Sequence, residues 1–370
     1  MLRVGTNDDP GATIRALSNV DIVGDRTGAQ LYVSRYGEPV LSVAVGNRTV
    51  RSAMTGTTAV MWVCSGKPLL LPALFQLLTE AGLDADTPVA ELVPAFAGGG
   101  KETATIVHLL THTVPYAGIG MRWADDTFVH GSEGGLLRAR WEEALDAICA
   151  EPVLGPPGTG IAYTTMANWL LLGEIVQRLG GAPYEEVIAK RVTDALGMPH
   201  TMLGRPAAPG PDTAQLWAAE PDGIPEPVDL DDARWTGQRW PGIGARGPAA
   251  ELGRVIECLA GWRRPDLVPA EWRSRLAETH RSGLADPVYR GVDIRWGLGC
   301  CVDPLPFGLP AGTAVIGHTG VRSSLVFADL DTGVAVVLVC NGMVPRTADR
   351  TRKRRVVRSV YRDLGLTGPS

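Results

Sequence analysis

A chain of 370 residues with 45% hydrophobic side chains can bury a large core and exceeds the length of one ordinary domain, so two structural regions are expected. Its 40 acidic against 35 basic side chains leave a net charge of -5, and only Arg350 to Arg358 forms a dense basic run, which reads as the solvated face of a last helix. That excludes the concentrated positive surface that nucleic acid binding requires, and no stretch approaches the roughly 18 uninterrupted apolar residues of a membrane span. The first residues lack an apolar run of the signal-peptide kind. The six cysteines (Cys64, Cys149, Cys258, Cys300, Cys301, Cys340) have neither zinc-ligand spacing nor the pattern of a disulfide framework. A soluble cytoplasmic protein with reduced thiols, no metal and no organic cofactor is expected.

In chain order, short β-rich runs at Ala29 to Val33, Pro39 to Val45 and Thr57 to Val63 alternate with turn signals such as Tyr36-Gly37-Glu38 and Gly46-Asn47. From Lys67 the spacing becomes helical. Leu70, Leu74, Leu77 and Leu78 share a face and Gly82 ends the run, which predicts a helix from about 65 to 81. Helical patterns then dominate 86 to 280, at Ala104 to Leu110, Trp141 to Ala150, Met166 to Leu179 and Ala249 to Ala260, with a proline-rich loop from Gly204 to Pro227. Strand signals return at Gly297 to Val302, Ala314 to Gly317, Leu325 to Asp329 and Val334 to Asn341, before an amphipathic segment from Thr351 to Leu364. Strands at both ends around a helical middle predict an α+β fold. Its antiparallel sheet is flanked by helices and built from 1–85 and 285–370, with a mainly helical region over 86–284.

The chemistry concentrates at Cys64-Ser65-Gly66-Lys67. Positions i and i+3 lie on one helix face, so Lys67 reaches Cys64 more easily than Ser65. A helix start and a neighbouring ammonium both favour an anion there, which makes a thiolate the expected nucleophile. A helix shift would instead present Ser65. Pro68 falls within the first turn, where its missing N–H costs little.

The segment Val60 to Pro68 (VMWVCSGKP) resembles the strand-to-helix entry that carries the SxxK motif of the serine β-lactamase and penicillin-binding-protein superfamily: class C β-lactamases, D-alanyl carboxypeptidases and related esterases. Further similarities follow in the superfamily's order. Leu83 to Phe96 leads into His108-Leu109-Leu110-Thr111-His112-Thr113; then come Pro157 to Tyr163, Asn168 to Gly173, Leu196-Gly197-Met198 with Thr201, and Gly317-His318-Thr319-Gly320 at the KTG position. The resemblance spans roughly 25 to 345 and implies a β-lactamase/transpeptidase-like fold.

It also implies roles. Cys64 would be the nucleophile, with Lys67 and Tyr163 moving protons. The backbone N–H groups of Cys64 and Val321 would form the oxyanion hole. His318, Thr319, Gly320, Thr165 and Arg322 would contact substrate, His318 either orienting a carboxylate or only bonding across the sheet, and Arg322 either holding an anionic group or forming a surface salt bridge. The chain departs from the pattern at two positions, where Cys64 replaces the serine and Thr165 the asparagine of Tyr-x-Asn. A thiol needs less help from a base, and its thioester passes the acyl group to amines more readily than an oxygen ester does, relative to hydrolysis.

The expected activity is therefore acyl transfer between a small-molecule donor and an amine or alcohol acceptor, as in natural-product biosynthesis. An esterase or amidase, or a non-catalytic binding protein in which Cys64 is a buried hydrophobe, are the alternatives. β-Lactamase activity is less expected without the asparagine. His108 and His112, spaced i and i+4, are read as structural because no third ligand accompanies them. Trp62, Trp123, Trp235 and Trp240 are candidates for lining the cleft, with core packing the default.

Overall fold

The computed structural model describes residues 11–18, 26–120, 122–124, 127–129, 136, 139–203, 212–219, 226–228 and 240–366. Much of the 204–245 loop and parts of the 114–140 loop therefore lie outside the described residues, as does Trp235.

The fold is α+β. A six-stranded sheet has the spatial order Val315–Gly320, Ser324–Asp329, Val334–Cys340, Gly28–Arg35, Glu38–Thr49, Ser52–Ala53. Every adjacent pair is antiparallel, with Leu31 opposite Leu338 where the two halves of the chain meet. In chain order the seam joins the last and the first strands of the sheet, so neither terminal part of the chain completes the sheet alone. Val334–Cys340 is buried along its whole length, which is what a near-continuous apolar run means in a central strand.

Side-chain alternation gives the sheet two apolar faces. Leu31, Val33, Leu325, Phe327, Val336 and Leu338 pack with Val356, Val357, Val360 and Tyr361 of the last helix, Arg346–Asp363. Their neighbours Tyr32, Val326, Ala328, Val337 and Val339 point the other way, into the main core with Ala249–Leu259 and the helices Leu71–Glu80 and Ala167–Gly180.

Two expected strands differ from the structure. Thr57 to Val63 contributes only the short strand Val60–Met61, which pairs with Ala245–Gly247 rather than with the main sheet. Gly297 to Val302 forms isolated bridges, because Gly297 and Gly299 fold it back so that Trp296 pairs with Cys301. The predicted 65–81 helix begins as a 3-10 helix, Val63–Leu70, and becomes α-helical at Leu71.

One buried carboxylate fastens a helix to the sheet. Glu257 accepts hydrogen bonds from Tyr32 Oη at 2.8 Å, Ser34 Oγ at 2.6 Å and Arg263 Nε at 2.6 Å. Replacing Glu257 with Ala leaves those donors facing a void. The expected cost is about 3 kcal/mol, read as a lower urea midpoint, with Glu257→Gln in between. An unchanged midpoint would show that the network contributes nothing to stability.

Candidate active site

The site is built where the Val60–Met61 strand turns into the 3-10 helix. Trp62 fixes the turn: its backbone N–H donates to Ala245 O at 3.1 Å and its indole Nε1 to Gly247 O at 2.7 Å. The next residue, Val63, takes φ 51°, a conformation disfavoured for a β-branched side chain and held only by its surroundings. The bend delivers Cys64 into the first turn of the helix, where backbone N–H groups lack intrahelical partners. A 3-10 turn eclipses i and i+3 more closely than an α-turn, so Lys67 lies beneath Cys64.

Lys67 is fully buried. Its Nζ donates to Thr165 O at 2.9 Å and Gly242 O at 2.8 Å and sits 5.8 Å from the centre of the Tyr163 ring and 5.6 Å from that of Trp169. Gly242 was not anticipated from sequence. A side chain there would collide with Thr165 O at 2.1 Å and crowd Lys67 Nζ at 3.2 Å, so the close approach requires glycine.

Tyr163 lies beside Cys64, and burial, with the neighbouring thiol adding to it, pushes the phenol well above its ordinary value. Tyr163 therefore stays protonated at neutral pH. Ser65, by contrast, is turned into the protein, with Ser324 Oγ donating to its hydroxyl at 3.0 Å.

His318 and His112 flank this group. Burial, reinforced by the Lys67 charge, holds His318 down to about 3 and His112 well below its usual value. His318 Nδ1 lies 3.0 Å from Thr319 O; a carbonyl only accepts, so Nδ1 carries the hydrogen and Nε2 is an unprotonated acceptor. His112 Nδ1 instead accepts from Thr164 N at 3.3 Å, and its ring stacks on Tyr163 with centroids 4.3 Å apart. His108 serves its own helix, its Nδ1 accepting from Thr105 N at 3.0 Å.

Cys64, Tyr163, His318, Thr319, Gly320, Val321 and Arg322 line one cavity of about 110 Å³. Val321 follows Gly320–Ser324, the last register pair of its hairpin, so its N–H lies beyond the ladder. Gly320 admits no side chain: a Cβ would meet Ser324 Oγ at 2.0 Å and Trp62 O at 2.9 Å. Thr165 is buried and gives its carbonyl to Lys67. Arg322 lines the cavity, and its guanidinium donates to Val344 O at 2.8 Å and to Ala219 O. Trp62 and Trp240 are core residues, and the Trp123 side chain is outside the description.

The cavity also recruits residues that sequence reasoning passed over: Val288, Tyr289, and from the last helix Arg346, Asp349 and Lys353. Tyr289 Oη lies 3.4 Å from Thr319 Oγ1. Behind the site, Arg281 is buried against Asp286 at 2.6 Å and donates to Thr111 O at 3.0 Å, fixing the loop that carries His112.

The Beta-lactamase family model matches residues 14–360. The chain belongs to the β-lactamase family. Esterase EstB of Burkholderia gladioli is 27% identical over 354 residues, covering 85% of this chain and 86% of its own. A penicillin-binding-protein homologue from Caulobacter crescentus superposes with TM-score 0.79 at 21% identity, covering 98% of this chain and 99% of its own. EstCE1, described as a hydrolase with promiscuous acyltransferase activity, superposes with TM-score 0.77 at 18% identity, covering 94% and 99%. Within the β-lactamase family fold, this chain puts a thiol at the start of the Val63–Leu70 helix.

The buried histidines set a pH dependence. Unfolded imidazoles protonate near 6.5 whereas the folded ones resist it, so the unfolded state binds more protons as pH falls. The stabilisation is fully present above about 6.5 and is lost on acidification, by up to about 1.4 kcal/mol per pH unit for each group. Urea titrations from pH 7.5 to 5 will show that decline, and His318→Gln will flatten it. A curve unchanged by the substitution would contradict a neutral His318.

Proposed function

We propose that the protein is an acyltransferase that works through a Cys64 thioester and hands the acyl group to an amine or alcohol. The observation that carries this reading is that Cys64 and the protonated Tyr163 line one cavity above the buried Lys67, with Ser65 turned away.

In this mechanism Cys64 Sγ attacks the acyl carbonyl of a small-molecule donor. Tyr163 gives its phenolic proton to the leaving group and regains one from the thiol, so the bond to the leaving group breaks as the carbon–sulfur bond forms. The Lys67 charge stabilises the negative charge that develops on sulfur and phenol oxygen during the exchange. Attack by an amine on the thioester reverses the traffic, its proton passing through Tyr163 to the departing sulfur. The N–H groups of Cys64 and Val321 bind the carbonyl oxygen in both steps. The Cys64 thiol favours transfer to an amine over release to water.

Hydrolysis of esters or amides by the same intermediate is the second reading, and its specific support is the similarity to EstB along most of both chains.

Intact mass after exposure to activated esters and acyl thioesters tests the nucleophile. Wild type and Ser65→Ala are expected to gain one acyl group and Cys64→Ala none, while Lys67→Ala acylates slower by a factor on the order of 10². Amines added to the acylated protein should release amide faster than buffer releases acid; the reverse order would favour the hydrolase. Labelling that survives Cys64→Ala and disappears in Ser65→Ala would overturn the assignment.

A further inference from the structure

The last helix presents a buried charged cluster to the active-site turn. Lys353 Nζ donates to Asp349 Oδ2 at 2.6 Å and to Gly320 O at 2.9 Å, and both residues line the cavity that Cys64 lines. Arg352 donates to Asp349 Oδ1 at 3.0 Å, to Gly342 O at 3.0 Å and to Arg322 O at 2.5 Å. The turn is thus held by a cation on each side of Val321, at the carbonyls of Gly320 and Arg322.

Gly320 O and the Val321 N–H belong to one peptide group. There are no cis peptide bonds among the described residues, so these two atoms point in opposite directions across that group. Anchoring the carbonyl at Lys353 therefore fixes the direction of the N–H. A cation on the carbonyl oxygen also withdraws electron density through the amide, making the N–H a stronger donor, as charge-assisted and linked hydrogen bonds reinforce one another.

We propose that Lys353 is a positioning residue for acyl transfer: through Gly320 O it orients and polarises the Val321 N–H that stabilises the developing oxyanion. This rests on the acyl-transfer reading above. Burying an ammonium is costly, and an apolar residue would pack the helix against the sheet without that penalty. The charge is retained where, among the described residues, Lys353's one hydrogen bond beyond its own helix is to the peptide that carries the oxyanion donor. Asp349 offsets the cost, and Arg352 keeps Asp349 paired when Lys353 is changed.

The test acylates wild type, Lys353→Arg, Lys353→Gln and Lys353→Met with a p-nitrophenyl ester carrying an isotope-labelled carbonyl. Difference infrared spectra then give the carbonyl stretch of each acyl-enzyme, and kcat and KM are measured alongside. Peptide mapping of the wild-type adduct decides the underlying reading separately, since an adduct away from Cys64 would overturn that reading and this one with it. With the adduct on Cys64, loss of the charge is expected to raise the carbonyl frequency and lower kcat on the order of 10-fold, with KM little changed. That is less than the 10² to 10³ for removing an oxyanion donor outright. Lys353→Arg should restore both readouts in part. If Lys353→Met does not fold, Lys353→Gln, which removes charge but keeps a donor, is decisive. An unshifted stretch and unchanged kcat in a folded neutral variant would overturn the proposal.

Discussion

The site depends on one buried cation. Lys67 is fully enclosed, and an ammonium in that position persists only because carbonyl oxygens replace its water. Those oxygens come from Thr165 and Gly242, about a hundred and a hundred and seventy-five residues further along the chain. Satisfying Lys67 therefore brings the Tyr163 segment and the Gly242 loop against the helix that carries Cys64. The same contact that keeps the charge tolerable sets Tyr163 beside the thiol.

The cation also sets the ionisation of its neighbours. His112 and His318 both lie within its field, and both are held neutral by burial and by that charge. Tyr163 moves the opposite way, since burial next to Cys64 penalises a phenolate and keeps its proton in place. At neutral pH a cation, two uncharged imidazoles and a protonated phenol thus lie around Cys64.

The sequence carries the fold well where patterns are periodic. Short β-rich and apolar runs at 29–33, 325–329 and 334–341 locate strands that the structure places at 28–35, 324–329 and 334–340, and Trp141–Ala150 falls where helical spacing puts it. The reading fails where geometry is decided by distant groups. Cys64 and Lys67 are legible because they are three residues apart in one helix. Gly242 is not, because its requirement for glycine arises from Thr165 O and Lys67 Nζ arriving from elsewhere. Val63 at φ 51° leaves no trace in composition either, since a β-branched residue is the opposite of what that conformation favours.

The basic run near the C-terminus shows the same limit from the other side. A string of Arg and Lys reads as a solvated helix face, and Arg350, Arg355 and Arg358 are indeed exposed. Yet Arg352 and Lys353 are buried, because a helix places 349, 352, 353, 356, 357 and 360 on one side and that side meets the sheet. The apolar part, Val356, Val357 and Val360, packs on the strands, while the charged part lies over the turn after Gly320, where strand pairing stops and carbonyls need donors. Asp349 makes the burial tolerable by pairing with both cations. The charge pattern that composition assigns to solvent is thereby spent on closing the end of a hairpin. Helix, turn and Cys64 thus line one cavity, and a change of register in the last helix would move the charged cluster off the turn and the valines off the strands together.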